Sequence, residues 1–91
     1  MYYVYIIQSR VDGSYYKGYS ENPLQRLEQH NNKESKYTSN KTPWQLVGLI
    51  IFETKREALI AEKKMKKYGK ERIESFLSSQ RNQLDSWKRS A

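Results

Sequence analysis

The chain contains no cysteine, two prolines and four glycines. Without a thiol there is no disulfide, no cysteine-ligated zinc or iron–sulfur centre and no thiolate nucleophile. Apolar residues are sparse, at 36%. The longest apolar run, Leu46 to Phe52, has the length of a strand and falls far short of a bilayer span. The opening MYYVYIIQS has no basic leader and is too short for a signal peptide, so the expectation is a soluble, cytoplasmic protein with no membrane partner. Acidic residues are also in the minority: 10 Asp and Glu stand against 17 Lys and Arg, giving +7 and a sequence pI near 9.7. In so small a protein that is a strong positive field, which favours polyanions, nucleic acid first and an acidic membrane surface second.

Ninety-one residues make one domain, and a chain of this size buries only roughly 60–65% of the surface its unfolded form exposes. Its core must be thin. Eight of the residues are tyrosine, a side chain that can sit half-buried with its hydroxyl in a cleft or stack against a base.

Residues 2–8 are β-branched and aromatic and read as a strand, and residues 15–19 as its antiparallel partner across a turn at Asp12-Gly13. Gly18 within the second strand marks a bulge or a close backbone approach. A helix follows, capped by Ser20 or Asn22 with Pro23 in its first turn, carrying a Leu24/Leu27 stripe and ending near His30-Asn31. Residues 32–43 form a polar, basic loop. Leu46–Phe52 is apolar on both alternating faces and is expected to be the central strand of the sheet. Thr54-Lys55-Arg56-Glu57 matches a capping box, opening a helix that runs to about Tyr68 with Gly69 as its left-handed terminator. Ile73, Phe76, Leu77, Leu84 and Trp87 fall at helical spacing and predict a third helix. The order β-β-α-β-α-α describes a small α+β domain, a mainly antiparallel three-stranded sheet flanked by helices. Its domain spans residues 1–80, with 81–91 a polar extension of the last helix or a tail.

Some polar residues stand where packing does not want them. Ala58, Ala61 and Met65 form the core stripe of the second helix, and Glu62 lies about 40° from Ala58 around the helix axis. A charge in an apolar arc must be paired or hold a metal; an ordinary Glu62–Lys66 pair at i, i+4 is the competing explanation. Arg26 and His30 share one face of the first helix, beside its stripe, one suited to gripping a phosphate and the other to moving a proton near neutral pH. Tyr5 lies opposite Val4 and Ile6 on its strand, and Tyr16 sits on the partner strand, where both hydroxyls could reach one side.

The order of these residues resembles the GIY-YIG nuclease superfamily, in particular its short, stand-alone members related to the catalytic domain of the excinuclease C subunit. Tyr3-Val4-Tyr5 stands at the GIY position and Tyr16-Lys17-Gly18 at the YIG position. Arg26-Leu27-Glu28-Gln29-His30-Asn31 is similar to the family's arginine helix, Lys36-Tyr37-Thr38 and Pro43-Trp44-Gln45-Leu46-Val47 to its loop and third strand, and Glu62 to its metal-binding glutamate. The likeness covers residues 2 to about 77. Tyr3 replaces the glycine of GIY, Lys17 replaces the isoleucine of YIG, and the late asparagine of some members has no counterpart.

The resemblance implies a nuclease that hydrolyses DNA phosphodiester bonds with Mg²⁺ or Mn²⁺, in DNA repair or processing and with little sequence specificity. It assigns the catalytic site to Tyr5, Tyr16, Arg26, His30 and Glu62. Glu62 would hold the metal, Arg26 the phosphate, and a tyrosine, Tyr5 in preference to Tyr16, would help activate water. Lys17, Lys36, Tyr37 and Lys41 are the expected nucleic-acid contacts, and no small-molecule cofactor is expected. The alternative is a basic nucleic-acid-binding module that keeps the fold without catalysis.

Overall fold

In the computed structural model, which describes residues 1–90, β1 (Tyr2–Ser9) and β2 (Tyr15–Ser20) form an antiparallel pair. Tyr5 stands opposite Gly18, and Ile7 opposite Tyr16. The turn between them holds Gly13 at φ 76, a left-handed value that a side chain disfavours. In α1 (Pro23–Asn31) the side chain of Asn22 caps the first turn, accepting from the Gln25 N–H at 3.2 Å. A polar loop with one 3-10 turn at Ser39–Lys41 leads to β3 (Trp44–Phe52). Thr54 then opens α2 (Lys55–Met65) with the expected capping box: its hydroxyl accepts from the Glu57 N–H at 3.2 Å and donates to the Glu57 carboxylate at 2.9 Å. The helices α3 (Lys70–Leu77) and α4 (Leu84–Ser90) complete the described residues.

The central strand is β1, not β3: the sheet order is β2-β1-β3, antiparallel throughout. Both faces of β1 are dry. Val4 and Ile6 pack on one side with Ala58, Met65, Ile73 and Phe76 from α2 and α3. Tyr5 and Ile7 pack on the other with Trp44, Leu46, Leu49 and Leu84, under α1 and α4. The same two-sided cover explains why β3 is apolar on both faces without being central. Its outer edge is closed by side chains instead of a strand. Asn82 accepts from the Leu49 N–H at 3.1 Å and donates to the Val47 and Leu77 carbonyls at 3.1 Å. Gln83 accepts from the Ile51 N–H at 2.9 Å. An edge capped in this way does not invite another strand.

The helices also depart from expectation. α2 ends at Met65, where Lys67 and Tyr68 turn back in three-residue steps to the Lys64 and Met65 carbonyls. Gly69, at φ −75, therefore caps the start of α3 and does not terminate α2. The expected third helix is two. It breaks across residues 78–83 because Asn82 and Gln83 are drawn to the edge of β3, and α4 crosses to the opposite face of the sheet. In α1 the core-facing stripe is the buried Pro23 and His30 with the half-buried Leu27, at i, i+7 and i+4, while Leu24 is 55% exposed. His30 is thus a core residue, not a rim residue.

Replacing Asn82 by Ala strands two β3 backbone groups at the sheet edge. Urea denaturation should show a loss of about 1–3 kcal/mol with an unchanged m-value. Wild-type stability in this variant would mean that water satisfies that edge equally well.

Candidate active site

Side chains from opposite faces of the sheet meet around Tyr16 of β2. From the α1 face come Tyr5, His30 and Tyr16. The Tyr5 hydroxyl and His30 Nε2 are 2.9 Å apart, and His30 Nδ1 and the Thr38 hydroxyl are 2.8 Å apart. Tyr5 is 2% exposed, and His30 and Thr38 are fully buried, so this polar chain runs through the core. The Thr38 hydroxyl donates to the Ser35 carbonyl at 3.4 Å and therefore accepts from His30 Nδ1–H. That assigns the lone pair of the neutral ring to Nε2, where it receives the Tyr5 hydroxyl proton. Burial, and secondarily the positive charge of Arg26, push the His30 pKa down to about 4, in keeping with a neutral ring. Burial likewise pushes Tyr5 up to about 12, with the neighbouring Tyr16 adding to the rise and Arg26 opposing it.

Local packing fixes this geometry. Gly18 faces the Tyr5 ring so closely that a Cβ there would collide with its hydroxyl end. The expected close backbone approach is therefore the seat of the Tyr5 phenol. Thr38 is held by Trp44, whose indole N–H donates to the Thr38 carbonyl at 2.9 Å. Trp44 is held in turn by Asn31, which accepts from its N–H at 2.6 Å and donates to its carbonyl at 3.1 Å. The Tyr16 ring lies 5.1 Å from the His30 ring and 6.4 Å from the Tyr5 ring.

Glu62 arrives from the other face, on α2. It forms the i, i+4 pair with Lys66, at 3.7 Å, and 21% of its side chain remains exposed. Lys66 Nζ also sits 5.9 Å from the centre of the Tyr16 ring, linking the two faces around the β2 edge. Glu62 is close enough to Tyr5 to contribute to its raised pKa. The five residues named from the sequence thus occupy one neighbourhood, joined by the sequence Glu62, Lys66, Tyr16, His30, Tyr5, Arg26. An open pocket of about 340 Å³ adjoins them, lined by Tyr15, Tyr16, Lys17, Tyr37 and Lys66.

Of the expected nucleic-acid contacts, Lys17 and Tyr37 line that pocket, and Lys36 is exposed on the same loop. Lys41 is instead paired with Asp12 at 3.3 Å and ties the 3-10 turn to the β1–β2 turn. Thr38 and Asn31 also shape this neighbourhood, and their sequence surroundings do not mark them for it. Thr38 was visible only as part of Lys36-Tyr37-Thr38, with nothing local to connect it to a histidine eight residues earlier. Among the described residues no group of three or more His, Cys, Asp or Glu is placed to hold a metal, and no helix is long and apolar enough to cross a membrane.

The fold is a small α+β domain that carries two tyrosines, a histidine, an arginine and a helical glutamate as its candidate site residues. Residues 1–82 match the GIY-YIG catalytic domain model. A UPF0213 protein from Bacillus licheniformis is 39% identical over 83 residues, covering 90% of this chain and 84% of that relative. The UPF0213 protein YazA of Bacillus subtilis is 34% identical over 82 residues, covering 89% and 82%. The solution NMR structure of the UPF0213 protein BH0048 from Bacillus halodurans superposes with a TM-score of 0.57 at 34% identity, covering 89% of this chain and 87% of that one. The chain belongs to the GIY-YIG nuclease family, among proteins similar to the UPF0213 group.

The buried neutral His30 has a consequence for stability. Below pH 6.5 the unfolded chain takes up a proton that folded His30 refuses until about pH 4. The His30 contribution is therefore complete above about pH 6.5 and is lost as pH falls toward 4, by at most about 3 kcal/mol. A His30→Gln variant, which has nothing to titrate there, should show a flatter stability curve than wild type over that window. Parallel curves would assign the acid sensitivity to other groups.

Proposed function

We propose that this protein hydrolyses phosphodiester bonds in DNA, with little sequence specificity, in repair or processing. The observation that carries this reading is the closeness of the buried Tyr5–His30–Thr38 chain to Arg26, to Tyr16 on the open β2 strand and to Glu62.

GIY-YIG nucleases generally depend on a divalent metal. The donor set here fits Mg²⁺ or Mn²⁺ and not zinc. It is a single partly exposed carboxylate, Glu62, and such ions are commonly held by one or two carboxylates with water and substrate phosphate oxygens completing the shell. Bound there, the ion would neutralise charge on the scissile phosphate and the leaving oxygen. Arg26 gives one N–H to Gln29, at 2.9 Å, and lies within hydrogen-bonding reach of the Tyr5 hydroxyl, which leaves further donors of its guanidinium for a phosphate.

The raised pKa of Tyr5 is compatible with a base only if the phenol never has to ionise. The chain to His30 supplies that route. As the attacking water gives its proton to the Tyr5 oxygen, the Tyr5 proton passes to His30 Nε2, and Thr38 holds the ring in the accepting tautomer. Arg26 disfavours an imidazolium in the free protein. A phosphate on Arg26 offsets that charge, so His30 becomes a better acceptor when substrate is bound. Tyr16, on the open side of the pair, orients the water.

Labelled single-stranded, duplex and branched DNA incubated with Mg²⁺ or Mn²⁺ should be cut by wild type. Glu62→Ala should lower the rate at least about 100-fold. Tyr5→Phe and His30→Gln interrupt one relay and should each cost about 100-fold, with the double variant little worse than either. No cleavage of any substrate by wild type, or full activity in Glu62→Ala, would sink this reading.

A further inference from the structure

The pocket beside the site is one of three concavities that share walls. Tyr15 and Lys17 also line a second, of about 330 Å³, which continues to Tyr68 and Lys70. Tyr68 in turn lines a third, of about 250 Å³, with Arg72, Phe76 and Arg81. Together they make a furrow from Tyr37, along the β2 edge and past Lys17, to the end of α3.

Its lining alternates cations and aromatic rings. Lys66, Lys17, Lys70, Arg72 and Arg81 supply five positive charges along it. The carboxylates at its margin are already engaged: Glu62 pairs with Lys66 at 3.7 Å, Asp12 with Lys41 at 3.3 Å, and Glu74 accepts from the Tyr15 hydroxyl at 3.3 Å. Arg72 stacks on Tyr68 at 4.3 Å and Arg81 lies 5.8 Å from the Phe76 ring centre, contacts that pre-orient each guanidinium for a phosphate. Tyr37 is 86% exposed at the head of the furrow, with no packing role to account for an aromatic ring held in water.

We propose that this furrow binds a single-stranded segment of nucleic acid, with bases stacked on Tyr37 and Tyr68 and phosphates held by Lys17, Lys70, Arg72 and Arg81. Two features select a single strand over a duplex. Concavities of this size admit one base and its sugar at a time, and the half-buried Tyr68 and the exposed Tyr37 can each stack only on a base freed from its partner. A duplex would present its phosphates to the rims and leave the tyrosines unused. The register of the strand against a scissile phosphate rests on the hydrolase reading above; the binding does not.

The test is fluorescence anisotropy without added metal, with an oligothymidylate of about twelve nucleotides and a duplex of equal length. The single strand should bind at least about tenfold tighter than the duplex at equal salt. Lys70→Ala combined with Arg81→Ala should weaken it about tenfold and reduce the slope of log K against log salt by about 1.4, two phosphate contacts on a single strand. Tyr37→Ala should weaken binding about tenfold while Tyr37→Phe restores it, since stacking needs the ring and not the hydroxyl. Lys88→Ala with Arg89→Ala, an equal loss of charge on exposed α4 positions, should leave binding unchanged. A duplex bound as tightly as the single strand, or a Lys70/Arg81 variant that binds like wild type, overturns the furrow and leaves Glu62-dependent cleavage to stand separately. Single-strand binding that depends on Lys70 and Arg81, without cleavage of any DNA, keeps the furrow and sinks the hydrolase reading.

Discussion

One eight-residue strand has to serve two cores. With 36% apolar residues the chain cannot fill a single thick interior, and it divides what it has between the two faces of β1. Val4 and Ile6 hold α2 and α3 on one side; Tyr5 and Ile7 hold α1 and α4 on the other. Each buried side chain of this size contributes about 1.5–3 kcal/mol, so both layers depend on residues one peptide apart. The arrangement leaves one strand, β2, with a free edge, while β3 is closed by Asn82 and Gln83. Of the candidate site, Tyr16 stands on the open strand, while Tyr5 and His30 lie behind it in the core.

Placing Tyr5 within the dry strand has a chemical consequence. A buried phenol must find a hydrogen-bond partner, and the partner available is a histidine that burial keeps neutral. A charged acceptor there would cost far more than a neutral one. The same burial that disqualifies Tyr5 as an anion therefore gives it a proton acceptor. The structural requirement to satisfy a core hydroxyl and the relay proposed above call for the same bond of 2.9 Å.

Most of the elements were legible because their signals are local. The capping box at Thr54–Glu57, the Asn22 cap and Gly13 in its turn are decided by neighbours in sequence. What was not legible depends on distant parts of the chain. β3 reads as central because burial on both faces leaves the same pattern as centrality, and only Asn82 and Gln83, some thirty residues on, reveal that its edge is closed by side chains. Helical spacing through Leu84 and Trp87 predicted one helix, because periodicity cannot register that residues 78–83 are drawn to that edge. His30 was placed on a rim by assigning Leu24 and Leu27 to the core. The stripe through Pro23, Leu27 and His30 was hidden by the polarity of the histidine. Of the candidate site, the family resemblance names five residues but not Thr38 and Asn31, whose parts are set by tertiary contacts to His30 and Trp44.

Lys17 is the residue at which the chain departs most from the YIG pattern, and its position accounts for a charge there. It projects to the α2 face of β2, half-buried, with its ammonium 3.5 Å from the Tyr68 carbonyl, and burial followed by the nearby Lys66 lowers its pKa. An isoleucine at this point would extend the apolar layer toward an edge that offers unpaired strand groups to any passing chain. A lysine blocks such pairing, as edge charges commonly do. It also joins the pocket of Tyr16 to the concavity leading to α3, being common to both walls. A partly desolvated ammonium with a second cation beside it has more to gain from a phosphate than an exposed one does, because the anion relieves both penalties at once. Protection of the edge and recognition of a polyanion thus ask for the same residue at the same place.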